Sequence, residues 1–194
     1  GEDVNGNNIL DINLGEDING NGKLDHFQLP QPPRPPKVKA VVENQNVTIY
    51  WDKATSEYSV DPITRLQDFE GYRIYRSNAG ADFTDPENLL LNLTLAGEFD
   101  RTDNNIGYNT GFGRIALPRA KRFPGDTVDY WFRFPPEGES VTHLNGWQYL
   151  YGVAAFDRGD SASGIISLQS KTEIRRVIPG SDTASAKNKA IGVY

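Results

Sequence analysis

The chain has 194 residues, enough for one folded domain with a small appendage or for two very small domains, and its 37% hydrophobic and 24% charged residues are ordinary for a folded protein. A formal net charge of −6 argues against nucleic-acid binding, because no basic stripe offsets it. No apolar run approaches the roughly 18 residues that a membrane-spanning helix needs. The sequence has no cysteine, which excludes disulfide bonds and thiolate metal sites.

The first 28 residues form a tandem repeat. Residues 1–14 read GEDVNGNNILDINL and residues 15–28 read GEDINGNGKLDHFQ, so the period is 14. This period leaves no room for the two helices of a complete EF-hand. In the shared pattern D-x-N-x-N-x-x-x-D, a tight turn brings four side-chain oxygens and one backbone carbonyl toward a single cation. The repeat therefore predicts two calcium-binding loops over residues 1–28.

Each loop offers five candidate ligands. In loop one they are Asp3, Asn5, Asn7, the carbonyl of Ile9 and Asp11. In loop two they are Asp17, Asn19, Asn21, the carbonyl of Lys23 and Asp25. Gly6 and Gly20 lie between ligands, where a positive φ is expected.

The bidentate acid expected at position twelve of each loop is missing, because Leu14 and Gln28 occupy it. Glu16 is the candidate acid to close loop one, and no residue is assigned to close loop two. So few formal charges predict calcium affinity in the weak extracellular range, about 10⁻⁴ to 10⁻³ M. The alternative is a flexible tail rich in asparagine and glycine.

These repeats resemble the calcium loops of dockerins and of thrombospondin type 3 repeats. The resemblance implies Ca²⁺ as the bound ion. A dockerin, however, needs helices beside its loops, which the 14-residue period does not allow.

Residues 29–37 read LPQPPRPPK, with five prolines in nine positions. Such a segment favours extended polyproline II conformation and predicts a semi-rigid linker.

Strand patterns dominate the rest of the chain, and they predict antiparallel sheets packed on each other as an all-β sandwich over residues 38–180. The predicted strands are residues 38–44, 46–52, 69–77, 127–134, 148–157 and 167–178. The side chains predicted to face inward are Val47, Ile49, Trp51, Tyr72, Ile74, Tyr149, Tyr151, Val153 and Ala155. Residues 78–126 form a long insertion, with one or two strands over 89–99 and a loop over 104–116.

An inward Trp51, the third strand GYRIYRS and the segment YLYGVAA that begins at Tyr149 resemble the fibronectin type III fold. The resemblance implies an immunoglobulin-like sandwich in which the Tyr149 hydroxyl bonds to upstream backbone. Together with AFDRGD and VIPG, these motifs look like modules of large secreted bacterial proteins. That likeness implies a secreted, extracellular or cell-surface location.

Catalytic motifs are weak. The two histidines, His26 and His143, fall in the repeat and in a polar loop, and no nucleophile elbow is present. Arg158 begins an Arg-Gly-Asp tripeptide that we interpret as a charged turn. The sequence therefore predicts a chain that is not an enzyme.

Three functions remain open. The first is a structural or adhesive spacer among neighbouring domains of a larger surface protein. The second is a self-associating subunit of a filament, in which residues 181–194 act as a connector and residues 190–194 add to a sheet edge. The third is a carbohydrate-binding or dockerin-like module of a carbohydrate-active enzyme, with Trp131 and Trp147 as candidate glycan contacts. None of them involves nucleic acid or membrane insertion.

Overall fold

The computed structural model describes residues 1–26, 29–80, 89–159 and 165–180. It consists mostly of β-strands in two antiparallel four-stranded sheets, with very little helix. None of the helices in these residues is long and apolar enough to cross a membrane. The prediction of an all-β sandwich is confirmed.

The regular elements follow one another in a simple order. The strands are β1 Val38–Glu43, β2 Asn46–Trp51, β3 Phe69–Ser77, β4 Leu93–Asp100, β5 Ala116–Lys121, β6 Tyr130–Phe134, β7 Tyr149–Asp157 and β8 Glu173–Val177. A one-turn helix, α1, spans Ala54–Glu57, and 3₁₀ turns span Ile12–Leu14 and Leu90–Asn92. One sheet has the order β1-β2-β6-β5 and the other has the order β4-β3-β7-β8.

The predicted inward side chains are confirmed by their burial. Val47, Ile49 and Trp51 of β2 are fully buried and pack in the same core cluster as Tyr72 and Ile74 of β3. The ring of Trp51 packs against that of Tyr72, with 5.7 Å between centroids. Alternation along each strand brings these rings together between the sheets.

Strand boundaries differ from the sequence prediction in three places. The fourth predicted strand begins at Tyr130 rather than at residue 127, and the last is reduced to Glu173–Val177. Strand β5 was not predicted. Its sequence carries Pro118, which removes a ladder donor; the residue lies in an irregular part of β5, an edge strand that pairs only with β6 within the described part of the chain.

Strand β7 is buried on both faces, although its pattern predicted one buried face. All nine of its residues are buried. Residues that lead into β8 cover its outer face, with the Thr172 methyl close to Gly152. The guanidinium of Arg73 lies 4.1 Å from the ring centroid of Phe156. Because these covering residues lie elsewhere in the chain, the β7 sequence alone could not show them.

The proline-rich segment lies against the sandwich. Pro33 and Pro36 are buried. The backbone N–H of Gln31 donates to the carboxylate of Asp61 at 2.8 Å, and that of Lys37 donates to Asp52 at 2.7 Å. Hydrogen bonds therefore hold this segment at both of its ends.

The insertion at 78–126 contains β4, β5 and a loop organised by one carboxylate. Asp100 is fully buried and accepts hydrogen bonds from the backbone N–H groups of Tyr108, Asn109 and Thr110. The Thr110 hydroxyl also donates to it at 2.7 Å. The C-terminal connector predicted at residues 181–194 lies outside the described residues.

Candidate calcium centre

Loop one folds around its own side-chain oxygens. The backbone N–H of Asn7 donates to both Asp3 Oδ1 (2.9 Å) and Asn5 Oδ1 (3.0 Å), so these two oxygens share one donor. The next N–H, from Asn8, donates to Asp3 Oδ2, and the N–H of Ile9 donates to Asn7 Oδ1. Gly6 has φ of 74°, which confirms the expected left-handed turn between the ligands.

Loop two repeats this arrangement fourteen residues later. Asn21 N–H donates to Asp17 Oδ1 and to Asn19 Oδ1, both at 3.0 Å. Lys23 N–H donates to Asn21 Oδ1 at 2.7 Å. Gly20 has φ of 72°. The two repeats thus share one local structure as well as one sequence pattern.

The last predicted ligand of each loop faces the asparagines. In loop one the side-chain NH₂ groups of Asn5 and Asn7 both donate to Asp11 Oδ2 at 2.9 Å. These two hydrogen bonds lower the pKa of Asp11 below its usual value. In loop two, Asn19 and Asn21 donate to Asp25 in the same way and lower its pKa.

The two loops are held together by a reciprocal pair of glutamates. Glu16, from the second repeat, accepts hydrogen bonds from the backbone N–H groups of Val4, Asn5 and Asp11 in the first loop. Its counterpart Glu2 has a similar set of partners in the second loop. Those partners are the backbone N–H groups of Ile18, Asn19 and Asp25.

Each glutamate is therefore placed in one repeat and holds the loop of the other. Glu16 holds loop one through backbone hydrogen bonds, and Glu2 plays the equivalent part for loop two. Sequence reasoning did not assign Glu2, although the repeated G-E-D triplet put both glutamates in the same register. Whether Glu16 also binds the ion stays a prediction.

The donor set fits a hard cation of modest affinity. Among the described residues no three or more His, Cys, Asp or Glu side chains cluster as a metal site, and each loop supplies two aspartates. The remaining ligands must then be amide and carbonyl oxygens, which Ca²⁺ accepts. In loop one the NH₂ groups of Asn5 and Asn7 face Asp11, whereas their oxygens accept the backbone N–H groups of Asn7 and Ile9.

The other candidate residues have structural partners. His143 is buried, and its Nε2 lies 2.7 Å from the Tyr151 hydroxyl, while burial and then the nearby Arg76 lower its pKa. Arg158 donates to the buried carboxylate of Glu70, on β3, at 3.1 Å. Asp160 of that tripeptide lies outside the described residues.

The two tryptophans proposed as glycan contacts differ in exposure. Trp147 is 51% exposed, whereas Trp131 is half-buried and packs against the edge of the core.

Comparison with known proteins gives no relative: no family model, no curated protein and no solved structure matches this chain.

Proposed function

We propose that this chain is a non-enzymatic, extracellular calcium-binding module with a structural or adhesive role. In this proposal each of the two N-terminal loops binds one Ca²⁺ ion. The ligands are those predicted from the sequence, and the glutamate from the opposite repeat keeps the loop in shape.

The observation that carries the proposal is that residues 1–26 bury carboxylates instead of apolar side chains. Their only buried side chains are Glu2 and Glu16, and Val4, Ile9, Ile12 and Leu14 are all more than 60% exposed. The segment has no apolar core to fold around. It also holds six carboxylates and one lysine, and no salt bridge forms within it. A divalent cation in each loop would supply the missing positive charge.

The expected affinity also favours a place outside the cell. Loops with two carboxylates each belong to the class with dissociation constants of about 10⁻⁴ to 10⁻³ M, which suits extracellular modules.

Isothermal titration of the full chain with calcium tests the proposal. We expect two sites for the native chain, one site for Asp3→Ala or Asp17→Ala, and none for the double variant. Asn13→Ala is the matched control, because Asn13 lies in the same segment but outside the ligand pattern. The absence of binding heat at millimolar calcium would disprove the proposal.

The reciprocal glutamates allow a sharper test. In the Asp3→Ala background only loop two binds calcium. Adding Glu2→Gln should then weaken the remaining site, since Glu2 holds loop two. Adding Glu16→Gln should leave that site unchanged. If Glu16→Gln weakened the remaining site and Glu2→Gln did not, each glutamate would instead hold the loop of its own repeat.

The strand order of the sandwich supports the proposal of a fibronectin type III-like or immunoglobulin-like fold. The Tyr149 hydroxyl accepts a hydrogen bond from the backbone N–H of Leu144 at 2.8 Å, as the resemblance implied. The order β1-β2-β6-β5 corresponds to the A-B-E-D sheet of immunoglobulin-like folds, and β3, β7 and β8 correspond to C-F-G. Strand β4 adds a fourth strand to that second sheet.

Self-association is a second candidate function, favoured by the edge strand β4. Leu90, Leu91 and Leu95, in and beside β4, are 59%, 81% and 53% exposed. Among the described residues β4 pairs only with β3. Its sequence LTLAGEFD has neither the lysine nor the proline that would hinder pairing with a strand of another chain. The edge strands β1 and β8, one from each sheet, are linked by a hydrogen bond: Arg175 Nε in β8 donates to the carbonyl of Val38 in β1.

Sedimentation of the full chain with calcium tests this second function. We expect a concentration-dependent oligomer that Leu91→Lys with Leu95→Lys abolishes. Leu66→Lys, at a leucine that is 60% exposed away from β4, is the control. A native chain that stays monomeric at high concentration would leave the module as a spacer.

A further inference from the structure

A groove with a volume of about 670 Å³ lies on the sandwich, away from the calcium loops. Its walls come from the proline-rich segment, from residues in and around α1, and from residues 127–131, which include the start of β6. A cavity of this size can hold a small ligand or several units of a polymer.

Two aspartates and two cations line the groove, and they differ in the partners they have within the protein. Of the two aspartates that line it, Asp52 is buried and accepts hydrogen bonds from Lys37 N–H, Thr55 N–H and the Thr55 hydroxyl. The other, Asp129, is paired with Arg122 at 2.7 Å. Both carboxylates therefore have their partners within the protein.

The cations of the groove are not compensated. Arg34 and Lys37 line it and are exposed, and neither side chain forms an ion pair with any of the described residues. A third cation, Lys53, lies 4.2 Å above the ring of Trp131, which also lines the groove. Arg34 and Lys37 can therefore bind an anionic ligand at this groove.

An aromatic surface stands beside these cations. Tyr58 lines the groove and is 60% exposed. An exposed ring next to charged donors suits a ligand with one apolar face and acidic substituents, because the ring packs against C–H groups while the cations bind the anions. Sugar rings that carry carboxylates have this combination.

We propose that this groove binds an acidic oligosaccharide, with a sugar ring packed on Tyr58 and its carboxylates bound by Arg34 and Lys37. The guanidinium of Arg34 can bind a carboxylate with two parallel hydrogen bonds, and Lys37 supplies a point charge. A neutral glycan would leave both cations without a partner. An acidic peptide would not use the exposed tyrosine face in the same way.

Titration of the full chain with three tetramers tests this inference. The probes are tetragalacturonate, neutral β-1,4-galactotetraose and tetraglutamate, all in a buffer with chelator so that calcium cannot bridge the acids to the N-terminal loops. We expect tetragalacturonate to bind at least tenfold more tightly than either other tetramer, and its affinity to fall as salt rises.

Variants at exposed positions connect binding to the groove without threatening the fold. Arg34→Ala with Lys37→Ala should weaken tetragalacturonate binding at least tenfold, and Tyr58→Ala severalfold, while Tyr58→Phe keeps the ring and the affinity. The controls Arg119→Ala with Lys171→Ala, and Tyr108→Ala, remove the same types of exposed side chain elsewhere. They should bind as the native chain does.

Three outcomes would overturn the proposal. The absence of tetragalacturonate binding at about 10 mM, which is on the order of the weakest useful affinity, would show that the groove is not a sugar-binding site. Equally tight binding of galactotetraose would show that charge does not contribute to the affinity. Equal binding of tetraglutamate, or loss of affinity in the control variants, would show a general electrostatic effect instead of a sugar site.

Discussion

In residues 1–26 the buried side chains are the two glutamates, whereas in the sandwich the largest fully buried side chains are Trp51, Tyr72, Tyr149 and Tyr151. The sandwich gains stability from removing apolar surface from water, which requires no bound ion. The N-terminal segment is held by hydrogen bonds among its carboxylates, amides and backbone, without an apolar core. Its order should therefore depend on calcium, while the order of the sandwich should not.

The same device appears in the sandwich at Asp100, and also at Asp61. Each of these carboxylates gathers three backbone N–H groups, much as Glu2 and Glu16 do, but they lie in a fold with an apolar core, in which Phe99 beside Asp100 is buried. The difference between the regions is therefore the supporting core and not the carboxylate itself. Five predictions test this.

The largest effect is expected at Trp51. Replacing it with alanine leaves a cavity between the sheets and should lower the free energy of unfolding by about 3–5 kcal/mol, with or without calcium. Trp51→Phe should cost less, because it keeps a ring and removes an indole N–H that has no hydrogen-bond partner. Urea denaturation followed by circular dichroism measures both. An unchanged midpoint for the alanine variant would contradict the described core.

A smaller loss, about 2–3 kcal/mol, is expected for Asp100→Ala, because buried N–H groups lose a charged acceptor. Asp103→Ala is the control, since Asp103 is exposed and pairs with Arg101 on the surface. Equal denaturation midpoints for the two variants would show that the 101–111 loop does not depend on Asp100.

The pH dependence at Asp100 has a definite sign. Burial raises its pKa, but the hydrogen bonds from Thr110, Tyr108 and Asn109 outweigh burial, and the net pKa is lowered. Its stabilising contribution should be complete above the unfolded value of about 4 and disappear as pH falls through the lower folded value. The stability difference between the native chain and Asp100→Asn should therefore shrink below about pH 4.

Removal of calcium should affect only the N-terminal region. At free calcium ten times the dissociation constant, each site contributes about 1.4 kcal/mol. In NMR spectra, chelator should shift resonances of residues 1–26 and leave those of the sandwich strands in place. A chelator-dependent melting temperature of the sandwich would show that the two regions are one cooperative unit.

The smallest effect is expected at Tyr149. Tyr149→Phe removes the acceptor for the Leu144 N–H and should cost about 1 kcal/mol. Tyr108→Phe, at a tyrosine that is 76% exposed, should cost nothing measurable. Equal stability of the two variants in thermal denaturation would mean that the Tyr149 hydroxyl bond does not contribute.

Much of the sandwich could be predicted because its strands alternate. The third predicted strand matches Phe69–Ser77 in full, and the inward face of β2 is the predicted one. Prediction failed where a strand's environment comes from distant residues. Strand β5 forms only because β6 offers it an edge, and β7 is covered on its outer face by the segment that leads into β8.

The sequence by itself determined the period-14 repeat, the four oxygen-bearing side chains of each loop and the positions where glycine turns the chain. Local spacing is enough for those features, because a tight turn brings neighbours in sequence together. Only the tertiary structure decided that Glu2 and Glu16 exchange partners between loops, and that Arg34 and Lys37 share a groove with Tyr58. These contacts join residues far apart in the chain, and no local pattern encodes which distant backbone or side chain will meet them.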